Sequence, residues 1–104
     1  MMKGFFRELG QRWRFGYPIG QGYRIKPVNR DLFRVSREDF AVEVNAELVS
    51  GPVSRHLYTD IPAHWLPPHQ DVAIPAHDKG EILDLVGRHF ERIGEKVKLV
   101  GSTS

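Results

Sequence analysis

The chain divides at residues 64–69, which read His64-Trp65-Leu66-Pro67-Pro68-His69. Two consecutive prolines remove two backbone donors and bias the residue before each of them away from the α region. This segment can therefore be neither a helix interior nor a central strand, and we expect a stiff, extended backbone close to polyproline II. The pattern before it predicts strands, and the pattern after it predicts one helix and a last strand. The hexapeptide thus marks the junction between the two parts of the fold.

The clearest strand signal lies upstream, over residues 40–48. Apolar side chains occupy every second position there, at Phe40, Val42, Val44, Ala46 and Leu48. A period of two predicts a strand with one buried face and one solvated face. Glu43 and Glu47 belong to the solvated face.

Shorter strands are expected on both sides of this one. They are predicted over residues 23–28, 32–35 and 53–58, with turns at 29–31, 36–39 and 50–52 and a loop over 16–22. Consecutive strands joined by short turns favour an antiparallel meander.

The residues after the hexapeptide predict one amphipathic helix. It opens near Pro75, which a first helical turn tolerates, and it ends before Gly94. Its apolar stripe consists of Ile82, Leu83, Val86, Phe90 and Ile93. Residues 96–100 predict a last strand at a sheet edge, where Lys96 and Lys98 would discourage pairing with other molecules. The expected class is α+β, with an antiparallel sheet of about four to five strands packed against one C-terminal helix.

The first 22 residues differ in character from the rest. Their charged residues, Lys3, Arg7, Arg12 and Arg14 against Glu8, give +3, which leaves −1 for the remainder of a chain of net charge +2. The apolar residues Phe5, Phe6, Leu9 and Trp13 recur at helical spacing and predict a short helix over about 3–14. We therefore divide the chain into an arm (1–22), a single α+β domain (23–100) and a tail (101–104).

Composition excludes several classes of function. The absence of cysteine rules out a disulfide framework, thiolate catalysis and a cysteine-type zinc site. No apolar run approaches the roughly 20 residues of a membrane span, and the first residues do not form a secretory signal, so we expect a cytoplasmic protein. Because the domain is nearly neutral, its charge does not favour nucleic acid as the partner.

Histidines are the first candidates for chemistry. His64, His69 and His77 lie close together in sequence, as a transition-metal site or a metal-dependent enzyme would require. However, no helical His-x-x-x-His pair and no Gly-x-Ser-x-Gly motif accompany them. We therefore expect these histidines to hydrogen-bond the loop, and we expect neither catalysis nor a cofactor or metal.

Two roles are open for Trp65. A tryptophan among prolines can plug a core, and it can also be an exposed anchor for a partner. In the second role, Tyr58 and the nearby Arg55 would belong to the same patch.

Several short motifs lie between residues 58 and 99. They are Tyr58-Thr59-Asp60-Ile61, Trp65-Leu66-Pro67-Pro68-His69, Ile74, a helix that begins near Ala76 and includes Ile82, Gly94, and Val97-Lys98-Leu99. Together they resemble the Immunity protein 74 family. Members are small proteins of bacterial polymorphic toxin systems. The resemblance implies an α+β domain that binds a cognate toxin domain and neutralises it by occlusion, without catalysis. The candidate partner-binding and motif residues are Arg55, Tyr58, Asp60, Trp65, Pro67, Pro68, His69, Glu43 and Glu47.

Charge sets a condition on the kind of toxin. Inhibitors of nucleases are often acidic, to match a basic active site. This chain is not acidic overall, so a nuclease toxin requires a local acidic patch, for which Glu43 and Glu47 are the candidates. The alternative function is a small nucleic-acid-binding module that uses Arg7, Arg12, Trp13 and Arg14 of the arm. The oligomeric state is left open.

Overall fold

The computed structural model describes residues 16–101, which form a six-stranded sheet and one helix. The strands are β1 (Tyr17–Gly20), β2 (Tyr23–Pro27), β3 (Leu32–Arg37), β4 (Phe40–Leu48), β5 (Arg55–Tyr58) and β6 (Val97–Val100), and the helix is α1 (Ala76–Arg92). The helix predicted over about 3–14 and the last residues of the predicted tail lie outside the described range.

The strands lie in the sheet in the same order as in the sequence. Neighbours from β1 to β5 are antiparallel, whereas β5 and β6 are parallel because the crossover through α1 returns the chain in the same direction. The predicted α+β class with one C-terminal helix is confirmed. The sheet differs from the expectation in having six strands and one parallel pair.

β1 lies where a loop was predicted over residues 16–22. It pairs with β2, and Ile19 is only 1% exposed. The loop prediction was wrong because glycines dominate the local composition. Gly20 and Gly22 have positive φ and form the tight turn between β1 and β2. They mark the end of a strand, but the local sequence pattern does not show that this strand pairs with β2.

The predicted turn at residues 29–31 is confirmed. Oδ1 of Asn29 accepts hydrogen bonds from the N–H groups of Asp31 and Leu32, both at 2.9 Å. The N–H of Leu48 in turn donates to Oδ1 of Asp31 at 2.9 Å, and this bond is the main reason that the pKa of Asp31 lies below its ordinary value. The turn is therefore tied to the end of β4.

β4 has different neighbours along its length. Residues 40–45 pair with β3, and on the other side residues 46–48 pair with β5. On its β5 side, the first half of β4 instead contacts the segment that contains the two prolines. There the N–H of Leu66 donates to the carbonyl of Ala41 at 2.8 Å. We call residues 61–75 the proline loop.

One apolar core lies between the sheet and α1. Its buried members are Ile19, Tyr23, Ile25, Phe33, Val35, Val42, Val44, Ala46, Leu57, Ile61, Trp65, Ile74, Ile82, Leu85, Val86 and Phe90. The helical stripe is confirmed at Ile82, Val86 and Phe90, and Leu83 packs partly buried against the core. The prediction was wrong for Ile93, which is 59% exposed because α1 ends at Arg92 and the chain turns away. Leu85 takes its place in the core.

Gly94 ends the helix, as predicted. It has a φ of +90°, its N–H donates to the carbonyl of Glu91, and the N–H of Glu95 donates to that of Phe90, both at 3.0 Å. This is the paired hydrogen-bond pattern of a Schellman motif. Within residues 16–101, no helix is both long enough and apolar enough to cross a membrane.

Candidate functional site

Arg55 connects three parts of the fold. Its side chain is 11% exposed, and Nε donates to Oε2 of Glu95 at 2.9 Å. Nη1 donates to the carbonyls of Arg30 and Ala46, both at 2.8 Å, and the guanidinium lies 4.8 Å from the ring centre of Phe90. Each of these contacts is internal, so this candidate binding residue is engaged within the domain.

Tyr58 faces outward, on the side of the sheet opposite α1. Its hydroxyl donates to Oε1 of Glu47 on the adjacent strand at 3.0 Å. This hydrogen bond raises the pKa of Tyr58, and the negative charge of the exposed Asp60 acts in the same direction. The structure therefore brings two of the predicted site residues, Glu47 and Tyr58, into contact, and the exposed Asp60 follows Tyr58 by two residues. We call Glu47, Tyr58 and Asp60 the acidic-aromatic cluster.

Glu43 also lies on the outer face but has a basic neighbour. Its carboxylate is 3.7 Å from the guanidinium of Arg34, directly across on β3. An exposed pair of this kind contributes little to stability, but it offsets the negative charge. Of the two predicted acidic residues, Glu47 is the one whose charge adds to an exposed cluster.

Trp65 is buried in the core at 6% exposure. Its ring meets Phe40 edge-on, with centroids 5.5 Å apart and planes at 69°. The structure therefore favours the core plug over the exposed anchor.

His69 holds the same loop from the other side of Phe40. The imidazole stacks on the Phe40 ring at a centroid distance of 3.8 Å and an interplanar angle of 11°. Nε2 of His69 lies 2.9 Å from Oδ2 of Asp39, although without the alignment of a regular hydrogen bond. The His69 side chain is the main reason that the pKa of Asp39 lies below its ordinary value.

The backbone at the two prolines turns instead of extending. The N–H of His69 donates to the carbonyl of Leu66 at 3.0 Å, and the peptide bond between Pro67 and Pro68 inside this turn is cis. The prediction of a polyproline II segment was wrong here, because the hydrogen bond between His69 and Leu66 closes a tight turn around the two prolines. Pro67 and Pro68 themselves are exposed.

The suspected histidine constellation does not assemble. His64 and His77 are exposed, His69 is held against Phe40, and no three His, Asp or Glu side chains within the described range are grouped so that they could hold a metal ion. The loop is instead closed by its backbone. His64 forms an isolated antiparallel bridge with Ala73, and the N–H of Ile74 donates to the carbonyl of Ala63 at 2.8 Å.

Sequence reasoning missed Phe40 and Asp39 as partners of the proline loop. Both lie at the turn from β3 to β4, far from the loop in the chain. The one hint in the sequence was Phe40 itself, a large aromatic residue at the first inward position of β4, where the start of a strand does not require one. Comparison of the chain with protein-family models, with curated proteins and with solved structures finds no match.

Proposed function

We propose that this chain is a non-catalytic protein-binding domain that neutralises the cognate toxin of a bacterial polymorphic toxin system by occluding it. A protein that protects its own cell from such a toxin would act in the cytoplasm, which is where we expect it. The observation that carries the proposal is the acidic-aromatic cluster on the outer face of the sheet, in which Tyr58 and Asp60 belong to a motif and Glu47 lies on the adjacent strand.

The chemistry of this cluster suits a protein interface. Tyrosine is enriched at interface hot spots because it gives large contact area and a polar tip at low entropic cost. The hydrogen bond to Glu47 at 3.0 Å fixes the direction of the Tyr58 ring before a partner arrives. Preorganisation of this kind reduces the entropy that binding must overcome.

Charge at the cluster indicates the kind of toxin surface. Glu47 and Asp60 are both exposed and lie close enough to Tyr58 to raise its pKa. Two carboxylates beside an aromatic ring match a basic contact surface, such as the substrate-binding face of a nuclease. The toxin would therefore be basic where it contacts this cluster.

The remaining motif residues support the proposal indirectly. Trp65 and His69, which belong to the motif, are used inside the domain, as is the candidate residue Arg55, so these residues build the scaffold that carries the cluster. Immunity proteins must be rigid enough to block an active site, and a loop fixed by ring packing and backbone hydrogen bonds provides that rigidity.

The test is protection of cells from the toxin encoded beside this gene. Cells that express the wild-type chain should survive, and the two purified proteins should form a one-to-one complex. Tyr58→Ala should weaken the complex by about tenfold or more, in keeping with a hot-spot tyrosine. Asp60→Lys should weaken it strongly, whereas Asp71→Lys, at another exposed aspartate, should not. Death of cells that express the wild-type chain would refute the proposal.

A second candidate is a nucleic-acid-binding module, favoured by one observation. Arg24, Lys26 and Arg34 occupy neighbouring exposed positions on the outer face of β2 and β3. β1 pairs with β2, and the basic residues of the arm precede β1 in the sequence. Retention of a labelled RNA or DNA that falls steeply with added salt would support this function. No retention at low salt would remove it.

A further inference from the structure

β6 leaves one of its edges open. It is the last strand of the sheet, and its only strand neighbour within residues 16–101 is β5. The carbonyls of Lys96 and Val100 accept hydrogen bonds from Arg55 and Thr59, on the β5 side. Because backbone groups alternate along a strand, those of Val97 and Leu99 point away from β5. The open edge therefore presents hydrogen-bonding groups that another strand can use.

A groove with both apolar and charged lining runs beside this edge, and its charged members are Asp84, Arg88 and Glu91 of α1. Leu99 is 60% exposed, which is the largest exposure among the big apolar side chains of the described residues. The groove between β6 and α1 has a volume of about 270 Å³, and Leu83, Val97 and Leu99 contribute its apolar surface. Gly87 of α1 has no side chain to fill it. A side chain from an added strand could pack here.

The charge at the edge selects the occupant. Lys96 and Lys98 are exposed, and within the described part of the chain neither side chain has an acidic partner. Pairing of two β6 strands would bring these lysines together, and like charges on facing strands are destabilising. A segment that places acidic side chains on the outer face would match them instead.

We infer that the open edge of β6 is a strand-addition site for an extended, acidic segment of the toxin. In the complex, an apolar side chain of that segment packs on Leu99 while an acidic one lies beside Lys98. Main-chain hydrogen bonds to Val97 and Leu99 supply affinity, and these two side-chain contacts supply specificity. That the segment belongs to the toxin rests on the proposed function, whereas the strand-addition site itself can be tested alone.

The site is tested with a labelled peptide of about eight residues in which glutamate and valine alternate, the pattern that strand addition at this edge requires. Binding to the full chain is followed by fluorescence anisotropy. The peptide should bind, and a peptide with lysine in place of glutamate should not. N-methylation of alternate residues should abolish binding in one of the two possible patterns and spare it in the other, because only alternate N–H groups face β6.

Three variants of the protein locate the binding to this edge. Leu99→Ser should weaken peptide binding about tenfold, since it removes the apolar contact. Lys98→Glu should weaken it further by reversing the charge. Val28→Ser, at another exposed apolar residue remote from β6, should leave affinity within about twofold of the wild type. Since all three side chains are exposed, unfolding curves should confirm that each variant keeps its fold.

The outcomes distinguish the existence of the strand-addition site from the identity of the protein that binds there. Absence of saturable binding, equal binding of the lysine peptide, or binding that neither variant at β6 weakens would overturn the strand-addition site. A wild-type dimer that Leu99→Ser dissociates would overturn it in favour of a second copy of the chain. If the peptide binds as expected but Leu99→Ser protects cells from the toxin as well as the wild type does, the segment does not belong to the toxin. Failure of the wild type to protect counts against the proposed function and leaves the peptide result intact.

Discussion

The imidazole of His69 lies flat on the ring of Phe40, with centroids 3.8 Å apart and planes at 11°. Phe40 also meets Trp65 edge-on at 5.5 Å. Because Phe40 begins β4 while the other two rings belong to the proline loop, one aromatic side chain fixes the loop to the sheet at two points. The stability of the loop should therefore depend on these rings more than on the prolines, which are exposed.

Replacement of Trp65 by alanine should lower the free energy of unfolding by about 3–5 kcal/mol, because a buried ring is removed and a cavity is left. Urea unfolding measures this directly. His64→Ala is the matched control, since it alters an exposed neighbour in the same loop and should change stability little. An unchanged urea midpoint for Trp65→Ala would contradict the packing described for this ring.

Arg55→Lys should destabilise the domain by about 2–3 kcal/mol even though the charge is kept. A lysine ammonium cannot reach the Glu95 carboxylate and the two carbonyls at once, so partly buried acceptors would lose their donor. Arg88→Lys, at an exposed helical ion pair, provides the comparison and should have no measurable effect. Equal midpoints for the two variants in chemical unfolding would show that the planar guanidinium is not needed.

His89 should make the domain less stable in mild acid. Burial lowers the pKa of His89, and the positive charge of Arg92 adds to this effect, while Glu95 opposes it. The unfolded chain therefore takes up a proton near pH 6.5 and the folded chain only at lower pH, so stability is complete above the unfolded pKa and is lost as pH falls through that range.

Thermal unfolding at several pH values between 7.5 and 5 tests this expectation. The melting temperature of the wild type should fall over the range, and His89→Gln should reduce the fall. His77→Gln, at an exposed histidine in the first turn of the same helix, is the matched control because it leaves the His89 ring in place. A wild-type slope in His89→Gln would mean that another group titrates.

Two glycines of the helical region should respond to alanine with opposite signs. Gly94 has a φ of +90°, so Gly94→Ala should cost about 1 kcal/mol. Gly80 lies inside α1 with open space around the position of a Cβ atom, so Gly80→Ala should stabilise the domain by about 0.5–1 kcal/mol. Differential scanning calorimetry of both variants distinguishes them. Shifts of the same sign would contradict the helix end described at Gly94.

The sequence predicted best those elements whose pattern is local. Two patterns each indicate one buried face: the alternation over residues 40–48 and the helical stripe that ends near Gly94. Both elements were found where expected. β1 was missed because its strand character comes from pairing with β2, which glycine-rich flanks conceal. The parallel joining of β6 to β5 was missed for a similar reason, since only the path of the chain through α1 decides it.

The candidate site was predicted in part. The alternation of apolar and polar residues along β4 was sufficient to predict that Glu47 is exposed. Its hydrogen bond to Tyr58 could not be predicted, because it depends on the register of β4 against β5. The inward use of Arg55 could not be inferred either, because Glu95 reaches it from the far end of α1. Which candidate residues are exposed and which are buried thus depends on the strand register and on the path of the chain after α1, and neither can be read from a local pattern.

The hydrogen bond from Leu66 to Ala41 has a consequence for how the protein behaves among other proteins. Without the proline loop, the first half of β4 would carry a row of free backbone groups on an apolar, alternating strand, which is the kind of template on which aggregates grow. The loop blocks that template with a turn whose prolines have no N–H to offer a further chain. That side of β4 is thereby closed to a further strand, whereas β6, at one end of the sheet, keeps a side without a strand neighbour within residues 16–101.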